Sequence, residues 1–258
     1  MDFKNLHTNY DETGENYSGF RRTDPRIASL IHEALGSAKT VLNIGAGSGS
    51  YEPDDRYVVP LEPSRVMRSQ RRFLNKIPAL KGTADSIPFD DKSFDACLAL
   101  LTVHHWPDIK KGIHEMIRVT SDRIIIMTFD PDDLNIFWNS EYFPELIEVE
   151  KARYPKLDFL LNELGGTSRI KTIPIPFDCV DGFQEAYFGR PEAFLDKEIR
   201  RAQSAWKFLP SGLEDILVNR LRVELDSGEW DKKYGHFRKE KNFQGALRVI
   251  ITKPSNSE

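Results

Sequence analysis

Thr40-Val41-Leu42-Asn43-Ile44 is a short, largely β-branched run that stops at Gly45-Ala46-Gly47-Ser48-Gly49. No other junction constrains this chain as much. Glycines placed directly after a strand permit a tight turn and let a ligand lie against bare backbone. In an open α/β sheet that turn is where ligands bind. Further runs fit such a sheet: Tyr57-Val58-Val59-Pro60-Leu61, the almost continuously apolar stretch from Phe94 to Val103, Arg123 to Phe129, and Ala246 to Thr252. A strand covered by helices on both faces reads as continuously apolar. Helical patterns alternate with these runs. Residues 25–36 have Asp24 to cap the start, Pro25 for the first position and Gly36 for the stop. A second pattern follows Pro63, and a third spans Pro107 to Val119. The alternation predicts a doubly wound α/β fold with a mostly parallel sheet and right-handed crossovers.

A chain of 258 residues buries a large core without a disulfide or metal staple. Hydrophobic residues at 40% and charged residues at 29% describe a globular protein. The formal net charge of −4 offers no basic surplus to replace phosphate counterions, so no nucleic-acid partner is expected. Cys97 and Cys179 have no zinc spacing and read as free thiols of a reducing compartment, and no metal is expected. Met1-Asp2-Phe3-Lys4-Asn5 is not a secretory signal, and no apolar run approaches the ~20 residues of a membrane span. These features predict a cytoplasmic location.

Residues 1–24 are polar and read as an arm, and residues 25–258 as one domain. Residues 132–165 are mostly helical and aromatic, and residues 169–177 read as an edge strand because of Pro174 and Pro176. Residues 182–242 are helical, charged and aromatic, inserted before the final strand. Segments 132–165 and 182–242 are therefore expected to form a lid. Its aromatics include Trp138, Phe143, Phe177, Phe183, Tyr187, Phe188 and Trp206. Such rings suit a flat or apolar small molecule, or else pack as the lid's own core. Arg65, Arg68, Arg71 and Arg72 read as a solvated helix face.

The glycine turn alone is shared by nicotinamide and flavin enzymes. Its spacing is Gly-x-Gly-x-Gly, however, not the Gly-x-Gly-x-x-Gly that opens a phosphate-binding helix. Tyr51-Glu52-Pro53-Asp54-Asp55-Arg56 leaves room for about one helical turn, whereas a pyrophosphate needs a full helix N-terminus. Glu62, at the end of the second strand, is placed to accept hydrogen bonds from two ribose hydroxyls, or is an ordinary acid at a helix start. Asp85, closing a short third strand, is placed to accept from an adenine amino group, or is a turn residue. His104 and His105 follow the Phe94–Val103 run at the cleft rim and are the candidate catalytic bases, with His105 preferred. Asp130 is a second candidate.

The ordered set Val41 to Gly49, Glu62-Pro63-Ser64, Ala84-Asp85-Ser86-Ile87-Pro88-Phe89, Ser93-Phe94-Asp95 and Thr102-Val103-His104-His105-Trp106 resembles the class I S-adenosylmethionine-dependent methyltransferases. The resemblance is to the broad group that includes the ubiquinone- and menaquinone-type enzymes, and it is strong over residues 38–130. It implies a seven-stranded sheet with the last strand antiparallel, S-adenosyl-L-methionine as cofactor, and a small-molecule methyl acceptor. By position, Gly45, Ala46 and Gly47 would face the methionine part and sugar, and Glu62 with Pro63 the ribose. Asp85 and Ser86 would hold the adenine, and Leu100 the amino acid end. Related enzymes fold an arm over the cofactor, which brings in Tyr17, Arg21 and Arg22. The alternatives are a cofactor-binding protein of this fold without turnover, and a nicotinamide-dependent oxidoreductase.

Overall fold

A computed structural model describes Asp11 and residues 17–255. A one-turn helix α1 (Tyr17–Phe20) and helix α2 (Pro25–Leu35) lead into strand β1 (Thr40–Ile44). Then follow β2 (Tyr57–Leu61), α3 (Arg65–Phe73), β3 (Phe94–Leu100), α4 (Ile109–Val119) and β4 (Thr120–Phe129). Helices α5 (Asn139–Tyr142), α6 (Pro144–Arg153) and α7 (Leu157–Leu164) precede the edge strand β5 (Thr167–Thr172). The remaining elements are β6 (Ile175–Pro176), α8 (Lys197–Arg201), α9 (Leu213–Asp226), α10 (Glu229–Tyr234), β7 (Asn242–Phe243) and β8 (Leu247–Lys253), with short 3-10 turns between them.

The main sheet has the order β2-β1-β3-β4-β8-β5. β2, β1, β3 and β4 pair in parallel, and β8 runs antiparallel to both β4 and β5. The doubly wound layout and the reversed last strand are thus as expected, but the sheet has six strands where seven were expected. The outermost strand shrinks to a single parallel bridge between Leu61 and Leu80, five residues before Asp85. Two features flank this bridge. Pro78 has no N–H to give a ladder. Gly82 lies so close to the Leu61 side chain that a Cβ there would fall 2.5 Å from Leu61 Cδ1.

Strand residues alternate between two cores, as the two-residue period of a strand requires. Val41, Ala96, Leu98, Ile125 and Met127 face α2 and the inserted segment. Leu42, Ile44, Cys97, Ala99, Ile124 and Ile126 face α4 and α7. Helix starts are fixed by side-chain caps: Asp24 accepts from Arg26 N at 3.0 Å, Ser64 from Met67 N at 3.2 Å, and Asp108 from Lys111 N at 2.9 Å. Of the helical stretch 132–165, α7 packs beneath the sheet through Leu160 and Leu164. α5 and α6 join the residues inserted before β8.

Most aromatics of that insertion are packed on each other. Trp138 is fully buried, its Nε1 donates to Phe188 O at 2.7 Å, and its ring meets Phe194 and Trp230 edge-on at 5.5 and 5.6 Å. Phe143 and Trp206 close the same cluster at 5.1 Å. Edge-to-face contacts of this kind add to area burial. Trp138→Ala is expected to lower unfolding stability by about 3–5 kcal/mol, read from urea denaturation. A loss below about 1 kcal/mol would show that this cluster does not hold the insertion together.

Candidate functional site

The turn after β1 is all backbone. Gly45 has φ +64°, and a Cβ on it would stand 1.9 Å from Thr102 Oγ1, so both conformation and space demand glycine. Gly47 (φ +52°) and Gly49 (φ +98°) repeat the left-handed conformation. No helix forms between Gly49 and β2, so even the single helical turn expected there is missing.

Ion pairs replace that helix. Arg71 of α3 is fully buried and donates to Glu52 Oε2 at 2.8 Å, to Ile77 O at 2.7 Å, and to Gly47 O at 3.3 Å. Glu52 Oε1 accepts from Asn43 Nδ2 of β1 at 2.9 Å. The expected solvated face is therefore corrected at two arginines. Arg71 is part of the floor of the turn, and Arg68 donates to Glu62 O at 2.8 Å and Pro63 O at 2.6 Å. The apolar α3 positions are few, and the sequence pattern alone does not mark Arg71 as buried.

Glu62 sits at the C-terminal end of β2, buried at 6% exposure. Its Oε2 accepts from Gly47 N and its Oε1 from Ser64 N, both at 2.8 Å. A carboxylate offers about four acceptor positions, so half remain open. Burial pushes its pKa up, and the two backbone donors oppose that rise.

A cavity of about 320 Å³ opens at the C-terminal ends of β1, β2 and β3. Gly45, Ala46, Gly47, Glu62, Pro63 and Leu100 border it, together with Arg21 and His105. These sequence-derived candidates are brought to one place. Asp85 and Ser86 are not: the wall there is made by Thr83 and Ala84. The Asp85 carboxylate is instead bound by the Thr83 hydroxyl, which holds it below the usual range. Tyr17 lies in α1, and its side chain is outside the described residues.

Arg21 closes the cavity from the arm side. Its Nε donates to Asp181 Oδ1 at 2.6 Å, while Tyr51 Oη donates to Asp181 Oδ2 at 2.7 Å. Burial, then the charge of Asp181, raises the Tyr51 pKa well above its ordinary value, so the phenol stays a donor. The arm and the insertion also pair as backbone, through the Arg21–Asp181 bridge and Gly182 N to Phe20 O at 2.9 Å. Tyr51 and Asp181 carry no motif in the sequence.

A second, smaller hollow of about 50 Å³ shares Arg21, Leu101 and His105 with the first. Phe129, Phe137, Phe183 and Tyr154 give it aromatic walls, and of the seven lid aromatics singled out in the sequence only Phe183 reaches it. His104 lines this hollow alone. Burial, then the neighbouring His105, Arg153 and Arg21, depresses its pKa well below 6.5 and keeps the ring neutral. Asp130 borders neither cavity; it accepts from Asp132 N at 3.1 Å as a turn residue. No group of three metal-ligating side chains occurs among the described residues, and none of their helices is long and apolar enough to cross a membrane.

Residues 42–126 match a family model described as a methyltransferase domain. The chain is 36% identical over 168 residues to an uncharacterised methyltransferase of Mycobacterium tuberculosis, covering 62% of this chain and 63% of the relative. It is 25% identical over 138 residues to a ubiquinone/menaquinone biosynthesis C-methyltransferase of Rhodopseudomonas palustris, covering 50% and 52%. The chain thus spans less than about two thirds of either curated relative. A solved structure from Anabaena variabilis, described as a methyltransferase of an antibiotic biosynthesis pathway, superposes with a TM-score of 0.83 at 29% identity over 91% of this chain and 99% of that one.

Arg71→Met leaves Glu52 as an uncompensated buried charge and is expected to cost about 3–5 kcal/mol of stability. Adding Glu52→Gln is expected to recover much of that, since the amide oxygen still accepts from Asn43. Thermal and urea unfolding of the two variants check this, and equal stabilities would remove the ion pair from the floor of the turn.

Proposed function

Since the chain belongs to the class I S-adenosylmethionine-dependent methyltransferases, we propose that it transfers a methyl group from S-adenosyl-L-methionine to a small molecule whose apolar or aromatic body rests in the second hollow. The observation that carries this reading is Glu62, anchored by Gly47 N and Ser64 N with acceptor positions left over at the edge of a cavity lined by bare backbone. The residues fit an adenosyl group. The side-chain-free turn at Gly45 admits it, and the cavity volume lies in the range of small-molecule sites. S-adenosyl-L-methionine supplies, when bound, a methyl group already activated on a sulfonium.

Everything else falls to the chain. Glu62 accepts from the two ribose hydroxyls, in charge-assisted hydrogen bonds that a neutral side chain does not match. Gly45, Ala46 and Gly47 present backbone to the sugar and the methionine part. Thr83 and Ala84, rather than Asp85 and Ser86, border the adenine. Arg21, already set by Asp181, faces the carboxylate end near Leu100. His105 borders both cavities, which supports it as the group that receives the proton the acceptor gives up. His104, neutral and enclosed, shapes the wall. A small-molecule acceptor, rather than a nucleic acid, fits a hollow walled by aromatic, amide and carboxyl groups of the insertion.

Isothermal titration with S-adenosylhomocysteine tests this. Glu62→Ala is expected to weaken binding by about 10- to 150-fold, the equivalent of about 1.5–3 kcal/mol for a charged hydrogen bond. Unchanged affinity would sink the ribose assignment. Affinity in the wild type is expected to fall as pH drops through the Glu62 pKa, which lies above 4.5, because only the ionised form accepts from both hydroxyls. An affinity that does not weaken on acidification through that range would place the nucleoside elsewhere.

A further inference from the structure

The second hollow is rich in unpaired polar atoms. Asn139, Glu185 and His104 all line it, all are at least nine-tenths buried, and each carries a polar atom without a hydrogen-bond partner: Asn139 Oδ1, Glu185 Oε2 and His104 Nδ1. Buried polar atoms in folded proteins are almost always paired, so several orphans around one hollow mark the outline of a missing ligand.

For Asn139 and Glu185 the role of that atom follows from the neighbouring hydrogen bonds. Glu150 Oε2 accepts from Arg153 at 3.1 Å, and its Oε1 accepts from Gln184 Nε2 at 2.8 Å. Gln184 must therefore offer its oxygen in the other direction, where it accepts from Asn139 Nδ2 at 3.2 Å. That leaves Asn139 Oδ1 as an acceptor. Glu185 Oε1 accepts from Ala246 N at 2.7 Å, and the carboxyl lies flat against Gly245, where a Cβ would come within 2.3 Å of Oε2. Glu150 has Arg153 as its cation within 4 Å; Glu185 has no such close partner among the described residues, and only the more distant charge of Arg248 acts on it. A buried carboxylate without a close cation is costly to keep ionised.

We propose that the second hollow recognises a small amine, its N–H donors satisfying Asn139 Oδ1 and Glu185 Oε2 and its charge serving as a close cation for Glu185, with Phe129, Phe137 and Phe183 against its carbon body. Burial pushes the Glu185 carboxyl up to about 7, although the backbone donors of Ala246 and Leu247 and the charge of Arg248 oppose that rise. An alcohol brings one donor and no charge, and a carboxylate brings like charge. The hollow therefore selects an amine over its oxygen isosteres.

The inference rests on the methyltransferase reading for the role of the hollow but is measured apart from it. Benzylamine, benzyl alcohol and benzoate are titrated into the full chain by calorimetry, with and without saturating S-adenosylhomocysteine. Benzylamine is expected to bind at least tenfold more tightly than either isostere. Glu185→Gln and Asn139→Ala are each expected to abolish most of that preference while leaving S-adenosylhomocysteine affinity near wild type. Equal binding of benzylamine and benzyl alcohol overturns the proposal, as does an undiminished preference in both variants. If S-adenosylhomocysteine binds and the amine does not, the amine site alone fails. If the amine binds and S-adenosylhomocysteine does not, the amine site stands and the methyltransferase reading fails.

Discussion

Gly47 is gripped at both ends of its backbone. Its N–H is held by the Glu62 carboxylate, and its carbonyl by the Arg71 guanidinium. The two side chains come from different elements, one from the tip of β2 and one from α3, and both are buried. Glu52 and Asn43 extend the Arg71 contact back into β1. Where many α/β folds run a helix out of this turn, here a line of charges sets its shape. The benefit is preorganisation: a turn already immobile loses little freedom when a ligand lies on it. The cost is desolvation of several buried ions, which is tolerable only because each is matched by a partner.

The two cavities differ in character although they share a wall. The larger one is bounded mainly by backbone, small residues and the rim of Glu62. The smaller one is bounded by aromatic rings and by amide and carboxyl groups drawn from α5, α6 and the inserted segment. Each follows from its position. Sheet ends deliver turns, whose exposed groups are peptide groups, whereas an insertion must bring its own hydrophobic core. Trp138, Phe143, Phe194 and Trp206 are committed to that core. Residues on its inner boundary, such as Phe183 and Gln184, remain to face a ligand.

The sheet and the glycine turn were legible in the sequence because they rest on local rules: β-branched runs, a two-residue alternation, and positions where only glycine fits. Glu62 was legible because it ends a strand. Arg71 was not, since a buried cation in a helix has the same letter and spacing as a solvated one. Asp85 does not border the larger cavity, where Thr83 and Ala84 stand instead, and the strand it was expected to close is only a single bridge at Leu80. Asn139, Glu150 and Glu185 left no local trace. Their meaning arises only when segments far apart in the chain are folded against one another, and no spacing rule announces that.

Arg21 belongs to a short stretch preceding the first long helix, yet it forms part of the wall of both chambers and is stapled to the insertion through Asp181. Tyr51, reaching up from the glycine turn, fastens to the same carboxylate. Three parts of the chain far apart in sequence thus meet at one acid. Peeling the arm away breaks the Arg21–Asp181 pair, leaves Tyr51 on the same carboxylate, and removes a wall that both chambers share. A single side chain of the arm thus couples the walls of both chambers, so a change at Arg21 is felt in the two at once.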